Sequence, residues 1–479
     1  MPASTTTPTT AASGRDAGRL GNHPGVILAL LVTCYLMIIV DNNVVTIALP
    51  QIQSSLHMSA TGLSWVLSSY TLTFGGLLLL GGRAGDVFGR RRVFVTGVVL
   101  FTVSSLLGGL ATTAWWLLAA RAVQGLGAAL ASPGAMALLM TNFKEGPARN
   151  RALAVYSTLA GLGMAIGMIL GGLLTEWTSW RWVLFINVPF GAVVAVLTPI
   201  YIADPERHRG RIDIIGALTG TAAIAALVYG FIRASEVGWG DALTLTAFAA
   251  AVVLLAVFLL VQRRVPHPTV PLQLFADRNR AAGYATVLLA MACLFGVLFF
   301  ISQFLQNILG YSALQAGLAF LPMAVGMFGM SRFTPRLLPR VGALRLILIG
   351  LAVVAGGAGW LSQLDEHTAY APGLLVPMLM LGVGIGTFLM PLTALILGGV
   401  APRDSGAAAG TMQTMQQVGG SLGLAILVTV YGTTLRLGGA QTPSLIAHAM
   451  GNAFIAATVS VVLALVLVAI VIRPNRPRA

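Results

Sequence analysis

Charge is what this chain has least of: only 9% of its 479 residues are Asp, Glu, Lys or Arg, while 57% are hydrophobic and the mean hydropathy is +0.87. A soluble domain carries about 25% charged residues, so this shortage excludes one. It points instead to a chain that crosses a bilayer many times, at about 20 residues per helical span. Cysteine is almost missing as well. Cys34 and Cys293 both lie in apolar segments and read as small core residues rather than as a disulfide framework. The histidines (His23, His57, His208, His267, His367, His448) are scattered over loops and segment ends, which leaves no metal cluster. Nucleophile motifs and phosphate loops are lacking too, so a membrane enzyme would have no equipment. Glycine strings at 125–130 and 382–386 imitate nucleotide loops, but no strand precedes them and their apolar context favours close helix packing. A cleavable leader is not expected: residues 1–22 are polar and Thr/Ala-rich and read as a disordered cytoplasmic tail. The apolar run after them is full spanning length without an A-x-A site, as in a signal-anchor.

Acidic residues are half as frequent as basic ones, 14 against 28, and the net charge is +14. Hydropathy divides the chain into fourteen apolar spans near 25–49, 61–81, 93–112, 116–140, 152–175, 182–202, 213–232, 242–262, 282–308, 313–331, 344–363, 370–399, 405–432 and 449–472. With the N-terminus inside, Arg181, Arg233 and Arg436 fall on the outer side, Arg121 falls within a span, and every other Lys and Arg falls on the inner side. That is the positive-inside pattern, and it explains the basic balance without a nucleic-acid partner. The expected location is the plasma membrane, multi-pass, with both termini cytoplasmic. Heavy use of Arg beside the single Lys144 fits a GC-rich bacterium.

The same tally isolates the chemistry. Asp41 is the carboxylate placed well inside a span, and Arg121 is the matching base. A charge at bilayer depth costs at least about 2.5–3.5 kcal/mol, so each is a functional-site hypothesis. Asp41 precedes Pro50 by nine residues and Arg121 follows Trp115 by six. At 1.5 Å per residue both lie roughly 9–14 Å below the outer ends of their spans, which permits contact. The pair then either binds a proton during transport or only glues span 1 to span 4.

Span 1 contains Val40-Asp41-Asn42-Asn43-Val44-Val45-Thr46-Ile47-Ala48-Leu49-Pro50, and the break between spans 2 and 3 reads GGRAGDVFGRRRV. These motifs resemble the major facilitator superfamily, and within it the fourteen-span drug:proton antiporters of the EmrB/QacA type; the first is similar to the family's span 1 signature, with Asn43 and Thr46 in place of the usual Thr and Asn. GGRAGDVFGRRRV matches the loop between spans 2 and 3 through Gly82, Asp86, Gly89, Arg90 and Arg91. Two glycines suit a tight turn there, and Asp86 beside the arginines could bond to another helix end and release it as the halves rock. A merely topogenic basic loop is the alternative. Span 4 matches through Arg121, Gln124, Gly125, Gly127, Ala128 and Ala129. In span 5, Gly163, Gly167, Gly171 and Gly172 match the antiporter element, with Met168 where the family has Pro. That glycine groove is expected either to seal the cytoplasmic end of a cavity in the outward-facing state or to be a generic packing groove. WRWVLFINVPFG, from Trp180 to Gly191, is similar to the segment that follows span 5.

The resemblance implies an all-α polytopic membrane protein with fourteen transmembrane helices: a bundle of six at 23–203, an inserted pair (spans 7 and 8, opened by Asp213 and Gly216) at 204–265, a second bundle of six at 266–473 and a cytoplasmic tail at 474–479. Thr334 to Arg345 is a degenerate second copy of the Gly82 loop. The implied activity is export of hydrophobic or amphipathic drugs or antibiotics, driven by a proton gradient without a cofactor or metal, in a monomer. The alternatives are a dedicated exporter of one metabolite or lipid-like compound, and proton-coupled uptake; a channel, the alternative of another class, would lack the Gly82 to Arg92 loop and would conduct without proton coupling. Asp41 and Arg121 would couple to protons. Asn42, Asn43, Gln124, Gln306, Gln413 and Gln417 are candidates for the substrate cavity, where amides beside Met412 and Met415 suit a permissive pocket, although core packing also accounts for the methionines.

Overall fold

The computed structural model describes residues 23–59, 61–143, 146–203, 213–265, 268, 270, 272–400, 404–439 and 442–472. The expected tails at 1–22 and 474–479 lie outside the described residues, as do His208, His267 and the stretches 204–212 and 266–267 at the expected ends of the inserted pair.

Every regular element among the described residues is helical, and fourteen helices follow the order of the apolar segments. They are α1 Pro24–Leu56, α2 Ser64–Phe88, α3 Arg90–Gly109, α4 Ala114–Asn142, α5 Pro147–Trp177, α6 Trp182–Tyr201, α7 Ile214–Glu236, α8 Ala242–Arg264, α9 Arg278–Ile308, α10 Ala313–Val341, α11 Ala343–Leu361, α12 Tyr370–Leu397, α13 Ser405–Gly438 and α14 Pro443–Val471. Among the described residues thirteen are long and apolar enough to cross a bilayer, and α5 stands at the remaining place with its apolar half Gly163–Trp177. Sequence-local devices start several of them. The Thr113, Asp213, Asp241, Asp277 and Thr442 side chains each accept a backbone N–H of the first turn, and Ser312 with Gln315 forms a capping box.

Helices α1–α6 pack on one another, α9–α14 do the same, and α7 and α8 form a pair. Within the first bundle α2, α3 and α4 approach closely because small residues line their contacts. A Cβ at Gly97 would lie 2.6 Å from the Ala131 nitrogen, and one at Gly127 2.5 Å from the Phe101 nitrogen. Gly81 abuts the Ala129 carbonyl, which Pro133 leaves without its N–H donor inside α4. The inserted α7 lies along α2 and α13, one helix from each bundle. There Leu72, Val228, Ile232 and Ala425 form a small core, and Thr429 Oγ1 donates to the Phe231 carbonyl at 2.7 Å. Helix α8 packs on α7 and exposes Leu245, Val252, Val253 and Leu260, the surface expected against lipid tails.

Two expected edges move. Hydropathy ends span 1 near residue 49, but α1 continues through Pro50 to Leu56. A proline inside a helix removes one N–H, and the carbonyl it orphans, Thr46 O, accepts a 3.0 Å hydrogen bond from Ser302 Oγ of α9. The expected loop at Gly82–Arg92 is almost wholly helical. Gly82 and Asp86 lie in α2, Arg90 and Arg91 open α3, and Gly89 alone joins them at φ +106°, a conformation glycine adopts without strain.

Candidate functional site

Asp41 and Arg121 meet. Arg121 Nη1 lies 2.5 Å from Asp41 Oδ2, and both side chains are fully buried. Depth counted from Pro50 does not explain this, since α1 runs past that residue. The helices cross where α1 packs on α4. Two more side chains complete the site. Gln124 Nε2, one turn along α4 from Arg121, and Asn187 Nδ2, from α6, each donate to Asp41 Oδ1 at 2.8 Å. An ionised carboxylate only accepts, and here one guanidinium and two amides converge on it. Both amides also reach Ser105 Oγ of α3, at 3.2 and 3.1 Å, and Ser105 donates to the Leu184 carbonyl at 2.8 Å. Ser105 thereby ties α3 to the first turn of α6, next to Phe185, whose carbonyl Pro189 leaves without its regular N–H donor.

Arg121 is held on its other sides too. Nε donates to the Val66 carbonyl at 3.1 Å, Nη1 to Gln124 Oε1 at 2.8 Å, and the guanidinium lies 4.3 Å from the Tyr70 ring centre. Helices α1, α3, α4 and α6 thus fix one ion pair, and α2 supplies the carbonyl and ring behind it. The site includes Ser105 and Asn187, which the sequence reading missed. Asn187 stands inside the WRWVLFINVPFG segment already singled out, as its one amide. Ser105 carried no comparable signal in an apolar span.

A separate cavity of about 230 Å³ lies between the bundles. Of the expected lining residues, Asn42, Asn43, Gln413 and Gln417 are there, joined by Tyr35, Phe74, Ser132, Phe295 and Met327 among others. Gln124 is not, since it belongs to the Asp41 cluster. Gln306 is not either: its amide donates to the Ile47 carbonyl at 3.0 Å and so ties α9 to α1. Beyond the cavity, towards the C-terminal end of α1, the bundles close. Ser302 and Gln306 bind the α1 carbonyls, Leu314 N donates to Glu176 Oε2 at 2.9 Å, and the hydroxyls of Thr71 and Ser421 bond directly.

The glycines of α5 divide between two jobs. Gly163, Gly167 and Gly171 face α1: a Cβ on them would lie 2.6 Å from Ile39 Cγ2, 2.7 Å from Asn43 Cβ and 2.9 Å from Val44 O. They therefore pack α5 within its own bundle, as the packing-groove alternative expects. Gly172 makes the contact across, 2.7 Å from Ala313 O of α10 by the same measure, and Met168 is buried against Gly317 beside it. This contact is at the C-terminal end of α1, the end expected to face outwards. Asp86 pairs locally with Arg90, 3.0 Å away across the Gly89 turn, and Arg91 makes the longer reach, to the Ile202 carbonyl at the end of α6 at 2.9 Å.

A chain helical in every regular element described, which packs two bundles around a cavity and buries an ion pair in one of them, is a multi-pass membrane protein of the transporter type. The chain belongs to the Major Facilitator Superfamily, whose family model matches residues 31–424. It is 41% identical over 433 residues to the cephamycin export protein CmcT of Amycolatopsis lactamdurans, covering 89% of this chain and 88% of that one. It is 42% identical over 407 residues to the puromycin resistance protein pur8 of Streptomyces alboniger, covering 84% and 81%. Among solved structures, the inward-facing, occupied form of a bacterial homologue of the human lysosomal transporter Spinster has the same fold, with a TM-score of 0.67 at 15% identity over 94% of this chain and 97% of that one.

Proposed function

We propose that the protein is a proton-coupled exporter of hydrophobic and amphipathic small molecules, drugs and antibiotics among them, which works by alternating access as a monomer in the plasma membrane. The observation that carries this reading is the continuity of α1. Asp41 sits in the sealed cluster, while Asn42 and Asn43, the next two residues, line the cavity. A proton taken up by Asp41 turns one acceptor oxygen into a donor and breaks its match with the donors of Arg121, Gln124 and Asn187. Helix α1 carries the change to the cavity and, through the Thr46 and Ile47 carbonyls, to the closed end. The relatives named for antibiotic export and resistance support the substrate class. The arginine distribution supports cytoplasmic termini, so the closed end faces outwards and substrate is collected from the cytoplasmic side. The proton gradient drives the cycle, without cofactor or metal.

Everted vesicles test this. Drug added to energised wild-type vesicles should release protons and accumulate in the lumen. Asp41→Asn, inserted at the same level, should do neither, because an amide cannot shed a proton. Wild-type efflux by that variant refutes the reading, and a drug-susceptibility panel on expressing cells identifies the substrates.

A further inference from the structure

Resting on the exporter reading, we infer that the cavity selects electroneutral ligands that bring hydrogen-bond donors on an aromatic or aliphatic body, and that it discriminates against permanent cations. Among the described residues sixteen line the cavity, and of these only Tyr35, with its phenol, carries an ionisable group. The carboxylate closest in sequence, Asp41, is fully buried and already bonded to Arg121, Gln124 and Asn187. A cation in the cavity would leave water and meet no countercharge, and burying an unpaired charge is among the least favourable events in an apolar site.

Aromatic faces offset that only in part. Tyr35 gives one face to Tyr156 with ring centres 3.9 Å apart, and the Phe295 ring abuts Gly420 of α13 so closely that a Cβ there would lie 2.8 Å from it, which leaves Phe74 as the remaining aromatic of the lining. The polar lining offers something else. Gln417 is 7% exposed, and its Oε1 has no hydrogen-bond partner among the described residues; neither has Oδ1 of Asn42. These residues stand on α13 and α1, one from each bundle. Both residues belong to the lining, and each amide oxygen is buried just behind it; a side-chain rotation would present them to a neutral molecule with N–H or O–H groups, which completes bonds that the protein alone leaves open.

The test uses two dyes of one skeleton. Ethidium is a permanent cation with two ring amines, and dihydroethidium is its hydride-reduced neutral form with the same amines. Binding to the purified full-length protein in detergent is followed by fluorescence anisotropy under anaerobic conditions, without an energised membrane. Dihydroethidium should bind at least tenfold more tightly than ethidium. Gln417→Leu should weaken dihydroethidium about fivefold to tenfold. Gln413→Glu, which puts a carboxylate on a half-exposed part of the wall, should tighten ethidium at least tenfold and close the gap. Equal affinities in the wild type, failure to bind either dye, or a ratio that Gln413→Glu leaves unchanged would overturn the inference. Failure of proton-linked export in vesicles would instead refute the exporter reading and leave a measured dye preference standing.

Discussion

The closed end offers a test in which one missing N–H predicts the effect of a mutation on another helix. Pro50 leaves Thr46 O without an intrahelical donor, and Ser302 Oγ of α9 fills the place at 3.0 Å, fully buried. Ser302→Ala removes that hydroxyl and strands a buried carbonyl, which costs about 1–3 kcal/mol. In the open arrangement the same carbonyl meets water, so the cost falls on the closed state alone and shifts the equilibrium by about 5- to 150-fold. The assay is maleimide labelling of a single cysteine at Ala313, buried where α10 meets Gly172, with the buried Cys34 and Cys293 replaced by alanine. The labelling rate tracks the open population and should rise within that range. Pro50→Ala supplies the control. It restores an N–H to the helix, so Thr46 O is satisfied locally and Ser302→Ala should then change the rate less than about twofold. An unchanged rate in the first variant, or the same rise in both backgrounds, would refute the reasoning.

Three further outcomes follow from the geometry. Arg121→Met strands a buried carboxylate and should destabilise the purified protein by about 3–5 kcal/mol, whereas Asp41→Asn leaves Gln124 Oε1, Val66 O and Tyr70 around the guanidinium and should cost less; the double variant should recover part of the loss in thermal unfolding, and strict additivity would mean that the pair is not coupled. Asn187→Leu removes one of the two donors to Asp41 Oδ1 and should abolish drug-linked proton release with dye binding in detergent within about threefold of wild type; loss of binding would put Asn187 in the cavity instead. Gly172→Val should raise labelling at the Ala313 position, because its side chain meets Ala313 O, while Gly167→Val should cost about 1–3 kcal/mol of stability by pushing α5 off α1 without opening that end. Equal labelling in the two glycine variants would count against the division of the α5 glycines.

Reading order in the chain is enough to find the helices and the ion pair, because both rest on local or extreme chemistry. Hydropathy marks a span wherever about twenty apolar residues run together, and Asp41 and Arg121 stand out as charges within such runs. Four of the cavity amides were legible for the same reason, since Asn42, Asn43, Gln413 and Gln417 are polar side chains in apolar helices. The rest was decided by tertiary contact. Gln124 and Gln306 looked identical to those amides in sequence, yet α4 turns the first onto Asp41 and α9 turns the second onto α1. Gly163, Gly167 and Gly171 promise only a smooth face, and which helix fills it depends on how α5 is rotated. Asn187 and Ser105 gain their roles where α3 packs on α6, which sets Ser105 on the Leu184 carbonyl and brings the Asn187 amide onto both Asp41 and that serine. A proline such as Pro50 announces in the sequence that a helix will have a carbonyl to spare, but the donor that answers it comes from elsewhere in the fold, which is why the position of Ser302 emerged only when the helices were packed.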